Sequence, residues 1–191
     1  AAAWFRKAAD QGMADAQFQV GRMYEFGVGV RQDPAQAAVW YRKAADQGWA
    51  RAQSNLGTLY VLGEGVPQDI AQGLVWYRRA AEQYDRLALY NLGLAYQNGL
   101  GVPQDPGEAH KWRTLGVEAE REFDVGVQKE MAASRDALAR SLTPGQRAEA
   151  EQRARDWLQA YAQRQAAAQP PQAGAPNAAQ PTLRLGDVTV T

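Results

Sequence analysis

The sequence contains no cysteine. Disulfides, thiolate metal sites and a cysteine nucleophile are therefore excluded. It contains a single histidine, His110, so one chain cannot build a multi-histidine metal site, and no metal or other cofactor is expected. No run of eighteen apolar residues occurs, which excludes a membrane-spanning helix. Charge of one sign is also missing. Lys plus Arg number 21 and Asp plus Glu number 21 over the 191 residues. The balance holds locally, at 12 against 12 in residues 1–119 and 8 against 8 in residues 120–168. Without a basic excess, neither a nucleic-acid partner nor an anionic membrane surface is expected.

What the sequence does contain is a period. Trp4, Trp40, Trp76 and Trp112 are spaced by 36 residues. Gly21, Gly57 and Gly93 keep the same spacing, as do Tyr24, Tyr60 and Tyr96, and the later trios Gly27, Gly63, Gly99 and Gly29, Gly65, Gly101. Residues 4–39 match 40–75 at 21 of 36 positions, and 40–75 match 76–111 at 17 of 36, without gaps. A fixed period of this length signals a repeat architecture in which neighbouring units bury a continuous core.

Each unit reads as two helices. In the middle copy helix A covers about residues 50–62, with Ala52, Leu56, Leu59 and Tyr60 on one face at helical spacing. Helix B opens at Asp33, Asp69 and Asp105, each followed three residues later by Gln36, Gln72 or Glu108. That pattern predicts a side-chain N-cap on the first-turn amides. Pro34 and Pro106 stand at the first helical position, where the missing N–H costs nothing. Helix B buries Ala37, Trp40, Tyr41 and Ala44, and the tryptophans are expected in the core. Gly12 and Gly48 end helix B as left-handed caps. The third copy has Tyr84 at that position, so its junction is expected to deviate. Gly21, Gly57 and Gly93 fall inside helix A, where each costs about 0.5–1 kcal/mol relative to Ala. A cost repeated at one phase predicts close approach of helix A to the helix-B aromatics.

Ala52, Leu56, Gly57, Tyr60, Gly63, Gly65, Val66, Asp69, Trp76, Tyr77, Ala80 and Ala81 together resemble the Sel1-like repeat, a relative of the tetratricopeptide repeat. The resemblance covers about residues 1–118. It implies an all-α, right-handed superhelical α/α solenoid that serves as a protein-binding scaffold. On this reading residues 1–11 are a partial repeat, helix B alone, and its helix A is expected upstream of Ala1. Repeats follow at 12–47, 48–83 and 84–119. The richness in Ala, Arg and Gln suggests a bacterial source, and the lack of cysteine suits cytoplasm and periplasm alike, so the compartment stays open.

After Trp112 the pattern decays. Arg113 stands where helix B has its aromatic, as expected for a terminal repeat that presents a polar outer face. Residues 120–141 read as a helix with Phe123, Val127, Met131, Leu138 and Leu142 on one side. Thr143-Pro144-Gly145-Gln146 predicts a capping box, opening a helix to about 166 with Ala150, Ala154, Trp157, Leu158 and Tyr161 inward. The segment 120–167 is assigned as a C-terminal helical cap, with a dimerisation hairpin as the alternative and a monomer expected. Residues 168–191 read as a disordered tail rich in Pro, Ala and Gln. Its end, Thr182–Thr191, alternates like a strand or hairpin that an adjacent sheet edge would accept.

Candidate chemistry is sparse. The aspartates are accounted for as caps, and His110 reads as an exposed or half-buried helix residue with no recurring partner. No nucleophile or base emerges, so the chain is read as non-enzymatic. What varies between copies is the face of helix A opposite Val20, at positions 15, 18, 22 and 25 of the first copy. The resemblance implies that this face lines a concave groove. The expected contacts with a protein or peptide partner are Phe18, Arg22, Ser54, Thr58, Leu87, Tyr90 and Leu94, with Trp49 at a variable junction. Two other readings are weighed. One is small-ligand or cell-wall binding, of β-lactam or peptidoglycan, with weak hydrolase activity, known for cysteine-rich Sel1-like proteins whose disulfides this chain lacks. The other is a structural part of a longer repeat protein.

Overall fold

The computed structural model describes residues 2–119, 125–168, 183–185 and 188–190. The chain divides into two units, Ala1–Pro103 and Gln104–Thr191. The first holds α1 (Ala2–Asp10), α2 (Ala14–Phe26), α3 (Pro34–Asp46), α4 (Ala50–Leu62), α5 (Ile70–Ala81) and α6 (Arg86–Asn98). Each helix packs on the next in sequence, so α2, α4 and α6 are the helices A, and α1, α3 and α5 the helices B of an α/α solenoid.

Side-chain caps set the helix starts. Asp33 and Asp69 accept from the amides of Gln36 and Gln72, at 3.0 and 2.9 Å. Each satisfies a first-turn N–H that has no intrahelical partner. Helices A end on Gly27, Gly63 and Gly99, all at positive φ. Two residues on, Gly65 lies against the first turn of α3. A Cβ there would come within 2.2 Å of the Pro34 carbonyl carbon.

Gly21 and Gly57 inside helix A have the predicted role, with Tyr rather than Trp as the close neighbour. A Cβ on Gly21 would lie 2.5 Å from Tyr41 Cδ1, and one on Gly57 2.8 Å from Tyr77 Cδ1. The missing side chain admits a whole aromatic ring. Tyr41 and Tyr77 are accordingly buried, with Trp40 and Trp76 beside them. Trp4 departs from the expected core position and is 81% exposed.

A second ladder was not visible in the pattern. The side-chain amide of buried Gln17 donates to the Ala9 carbonyl (3.2 Å), and that of buried Gln53 to the Ala45 carbonyl (3.1 Å). Gln47 then donates to Gln17 Oε1 (2.7 Å) and Gln83 to Gln53 Oε1 (2.9 Å). The glutamines satisfy helix-end carbonyls inside the stack, where an orphaned acceptor would be costly. Leu89 takes the place of Gln17 and Gln53 in the third copy and is fully buried.

The third junction does not deviate as expected. Tyr84 adopts φ 63° where Gly12 and Gly48 have 90° and 88°. The stack imposes the left-handed turn on a residue that resists it. Asp85 caps α6 by accepting from the Ala88 amide at 3.0 Å, a cap the sequence reading passed over.

The second unit holds α7 (Pro106–Ala119), α8 (Val125–Ala139), α9 (Pro144–Ala168), β1 (Leu183–Leu185) and β2 (Val188–Val190). Asp105 caps α7 on the Glu108 amide at 2.9 Å. α7 packs on both α8 and α9, around Ala109, Leu115, Val117, Met131, Ala150, Ala154 and Leu158. Trp112 meets Trp157 edge-on, and Trp157 stacks on Tyr161. Thr143 and Gln146 form the reciprocal capping box, at 2.9 and 3.3 Å. Phe123 of the expected first helix lies outside the described residues. So do residues 169–182 of the expected tail, whereas Ala168 still belongs to α9, and β1 pairs antiparallel with β2, Leu183 opposite Val190. Arg113 corrects the expectation of a polar outer face: it is buried and its guanidinium donates to Ser134 Oγ on α8.

Substitution of Gly57 by Ala is expected to destabilise the protein by about 1–2 kcal/mol. Overpacking against Tyr77 and the Gly73 carbonyl outweighs the gain of about 1 kcal/mol in helix propensity. Gly48→Ala and Gly145→Ala both add a methyl to open space. Only Gly48 has positive φ, so only Gly48→Ala should cost about 1–2 kcal/mol. Urea denaturation of the three variants separates these outcomes; a stabilised Gly57→Ala would refute the close-approach role.

Burial raises the Asp85 carboxyl above its ordinary range, against the Ala88 amide and Ser54, which lower it. A folded-state pKa above the unfolded one means that Asp85 adds stability below the unfolded value and loses it as pH rises through the folded one. Asp85→Asn keeps a cap without the charge. It should raise the melting temperature near neutral pH, with the difference vanishing in acid, as thermal melts across pH will show.

Candidate functional site

The repeated frame of the first unit leaves one stripe of helix A facing outward. It runs through positions 15, 19, 22 and 26 of α2, 51, 55, 58 and 62 of α4, and 87, 91, 94 and 98 of α6, all exposed or half-buried. This i, i+4, i+7, i+11 spacing is a single helical face. It is shifted from the stripe read in the sequence. Phe18, expected to contact a partner, is 5% exposed and packs on Tyr41 with ring centroids 5.7 Å apart. Ser54, at the same phase, is 1% exposed, and its hydroxyl donates to the Arg51 carbonyl. That phase points at the adjoining helices, so both side chains are corrected from surface contacts to core.

The other expected contacts lie on or beside the outward stripe. Arg22 is exposed, with its guanidinium 6.0 and 5.8 Å from the ring centroids of Phe18 and Phe26. Leu87 is exposed, and Thr58, Tyr90 and Leu94 are half-buried. Trp49 is not the free junction residue expected. It is half-buried against the core cluster of Tyr41 and Leu56, and its indole nitrogen is buried. The sequence reading missed Phe26 and Leu62, which are 60% and 56% exposed at the C-terminal ends of α2 and α4. The available signal was Gln19, Asn55 and Asn91. They are amides recurring at 36-residue spacing, which marks the outward phase.

Beneath the stripe, the helix-B tyrosines reach up between helices A. Tyr41 donates its hydroxyl to Glu25 Oε2 and accepts from Asn55 Nδ2 at 3.1 Å. The Tyr77 hydroxyl lies 2.9 Å from Thr58 Oγ1 and also hydrogen-bonds Asn91. Burial raises both phenols above their ordinary range. They stay protonated and act as fixed hydrogen-bonding struts. Two arginines also brace these repeats. Arg6 donates to the Tyr24 hydroxyl at 3.1 Å and covers Trp40; Arg42 does the same to Tyr60 and Trp76. The stripe thus rests on a rigid bed, and its own side chains differ from copy to copy: Asp15, Arg51 and Leu87; Arg22, Thr58 and Leu94; Phe26, Leu62 and Asn98.

His110 is the other correction. It is 2% exposed, on the face of α7 that meets α8 and α9. Burial lowers its pKa, against the pull of Glu151, whose Oε1 lies 3.9 Å from Nε2. Among the described residues no group of three His, Asp or Glu is placed to hold a metal ion, and no helix is long and apolar enough to cross a membrane.

The Sel1 repeat family model matches residues 1–13, 14–49, 50–85 and 86–112. Among solved structures, a Sel1 repeat protein from Oxalobacter formigenes is 44% identical, with a TM-score of 0.57 over 61% of this chain and 48% of its own. The protein c5321, a protective antigen of uropathogenic Escherichia coli displaying an SLR fold, is 28% identical, with a TM-score of 0.52 over 93% of this chain and 45% of its own. The chain therefore spans about half the length of these relatives. No curated protein matches it. With its period, capped helices and glycine–tyrosine contacts in register with the matched repeats, the chain belongs to the Sel1 repeat family, an all-α solenoid family whose members generally serve as scaffolds for protein–protein interaction.

Proposed function

We propose that the chain is a non-catalytic interaction module that holds a protein or peptide along the outward face of its helices A. The observation that carries this reading is the contrast between frame and surface. The buried positions repeat every 36 residues, while the outward stripe changes character from α2 to α6. A frame that only had to stack would have no use for an exposed Phe26, Leu62 and Leu87. Apolar side chains set among Asp15, Arg22 and Arg51 suit anchors with a charged rim.

Arg22 forms no ion pair among the described residues, which leaves its charge for a carboxylate on the partner. Leu87, Tyr90 and Leu94 supply an apolar end to the stripe, with Thr58 between the two. Affinity comes from the apolar anchors and selectivity from the charges. The rigidity of the tyrosine-strutted bed keeps the ordering cost of binding low.

Affinity capture from a bacterial lysate tests the reading, using the wild type beside an Arg22→Glu, Leu94→Ala variant. Both side chains are at least partly exposed, so the variant should keep its helical circular dichroism and melt within a few degrees of wild type. Retention of the specific prey should fall at least tenfold, as expected for loss of about 1.4 kcal/mol or more of interface energy. Equal retention on a folded variant would reject the helix-A face as the binding surface.

A further inference from the structure

A polar cavity of about 200 Å³ lies within the second unit. It is lined by His110, Thr114 and Glu118 from α7, Arg135 from α8, and Arg147, Glu151 and Arg155 from α9. Its size is that of several water molecules. His110 is the buried member; its Nδ1 makes no well-formed hydrogen bond among the described residues, and the Arg135 backbone is the further polar group its ring approaches. A buried imidazole nitrogen left unsatisfied beside a polar space calls for something to occupy that space.

The lining has a definite character. Among the described residues three guanidiniums and two carboxylates line the cavity, and Asp136 beside Arg135 brings those charges into balance with His110 neutral. Arg147 Nε is held by Glu151 Oε1 at 2.8 Å. Arg135 is held by Asp136, outside the lining, at 2.7 Å. Arg155 directs Nε and Nη2 to Gln152 Oε1 and forms no ion pair among the described residues. Each guanidinium carries five N–H donors, so these partners leave donors over on all three.

We propose that this cavity binds inorganic phosphate. The arginines donate to its bare oxygens in the forked geometry that suits a tetrahedral oxyanion. Glu118 and Glu151 each accept one of the two O–H groups that the dihydrogen phosphate monoanion carries. His110 supplies a further ring nitrogen to the same ligand. The carboxylates give the site its selectivity. Sulfate has the same shape but no proton to offer, so it sets bare oxygens against both glutamates. This site is separate from the helix-A face and does not depend on partner binding there.

His110 is the only histidine in the sequence, so its imidazole gives a single set of signals in a nitrogen-15 spectrum of the full chain. Titration with sodium phosphate at constant ionic strength should shift that set saturably, and calorimetry should give sulfate an affinity at least tenfold weaker. Arg155→Gln should weaken phosphate binding about tenfold or more with an unchanged melting curve. Lys129→Gln, an exposed control on α8, should leave it unchanged. If Arg155→Gln fails to fold, Arg155→Lys keeps the charge and loses the fork, and should still weaken phosphate binding severalfold. An unmoved imidazole signal, equal affinity for sulfate, or equal weakening in Lys129→Gln would each overturn the proposal.

Discussion

The contact of a helix-A glycine with a helix-B tyrosine ring sets the geometry of the first unit. At Gly21 and Gly57 the ring carbons lie where a Cβ would have to be. The glycine weakens its own helix, and what it gains is a close helix–helix approach with the tyrosine hydroxyl carried through the layer. That hydroxyl emerges among helix-A side chains, where it bonds Glu25 and Asn55 in one repeat and Thr58 and Asn91 in the next. One small residue thus couples packing within a repeat to hydrogen bonding between repeats. The outward stripe inherits its fixed spacing from this coupling.

The remaining polar groups of the stack follow the same economy. Gln17 and Gln53 are buried, yet each satisfies a carbonyl at the end of the preceding helix B and receives a second glutamine from the end of the next helix B. The arrangement requires a fully connected chain, since a half-satisfied buried amide is worse than an apolar residue. The third copy meets that requirement by substituting Leu89 for the buried glutamine. In the second unit the same pressure acts differently. Arg113 occupies the tyrosine phase, and its buried charge is directed to Ser134 on α8.

The periodic residues were legible because each does one local job. Aspartate caps, proline at the first helical turn, glycine at helix ends and the apolar faces all depend on neighbours within a few positions. The candidate site was only partly legible. Arg22, Thr58, Leu87 and Leu94 lie on the outward stripe and Tyr90 beside it, whereas Phe18 and Ser54 are buried. A helix face is about 100° wide and successive positions differ by about 100°. Choosing the face by opposition to one core residue therefore leaves an error of a full position. The recurring amides Gln19, Asn55 and Asn91 resolve that error, because they sit at the phase that is never buried.

The sequence by itself determined the repeat, the two-helix unit, the helix starts and the family, because those depend on spacing and on local hydrogen bonding. Tertiary structure decided everything that depends on which helix comes to lie beside which. It buried Phe18 against Tyr41 and forced Tyr84 into a glycine's conformation. It also drew His110 and three arginines from α7, α8 and α9 around one cavity. Those four residues share no spacing in the chain, and only the packing of three helices makes them neighbours.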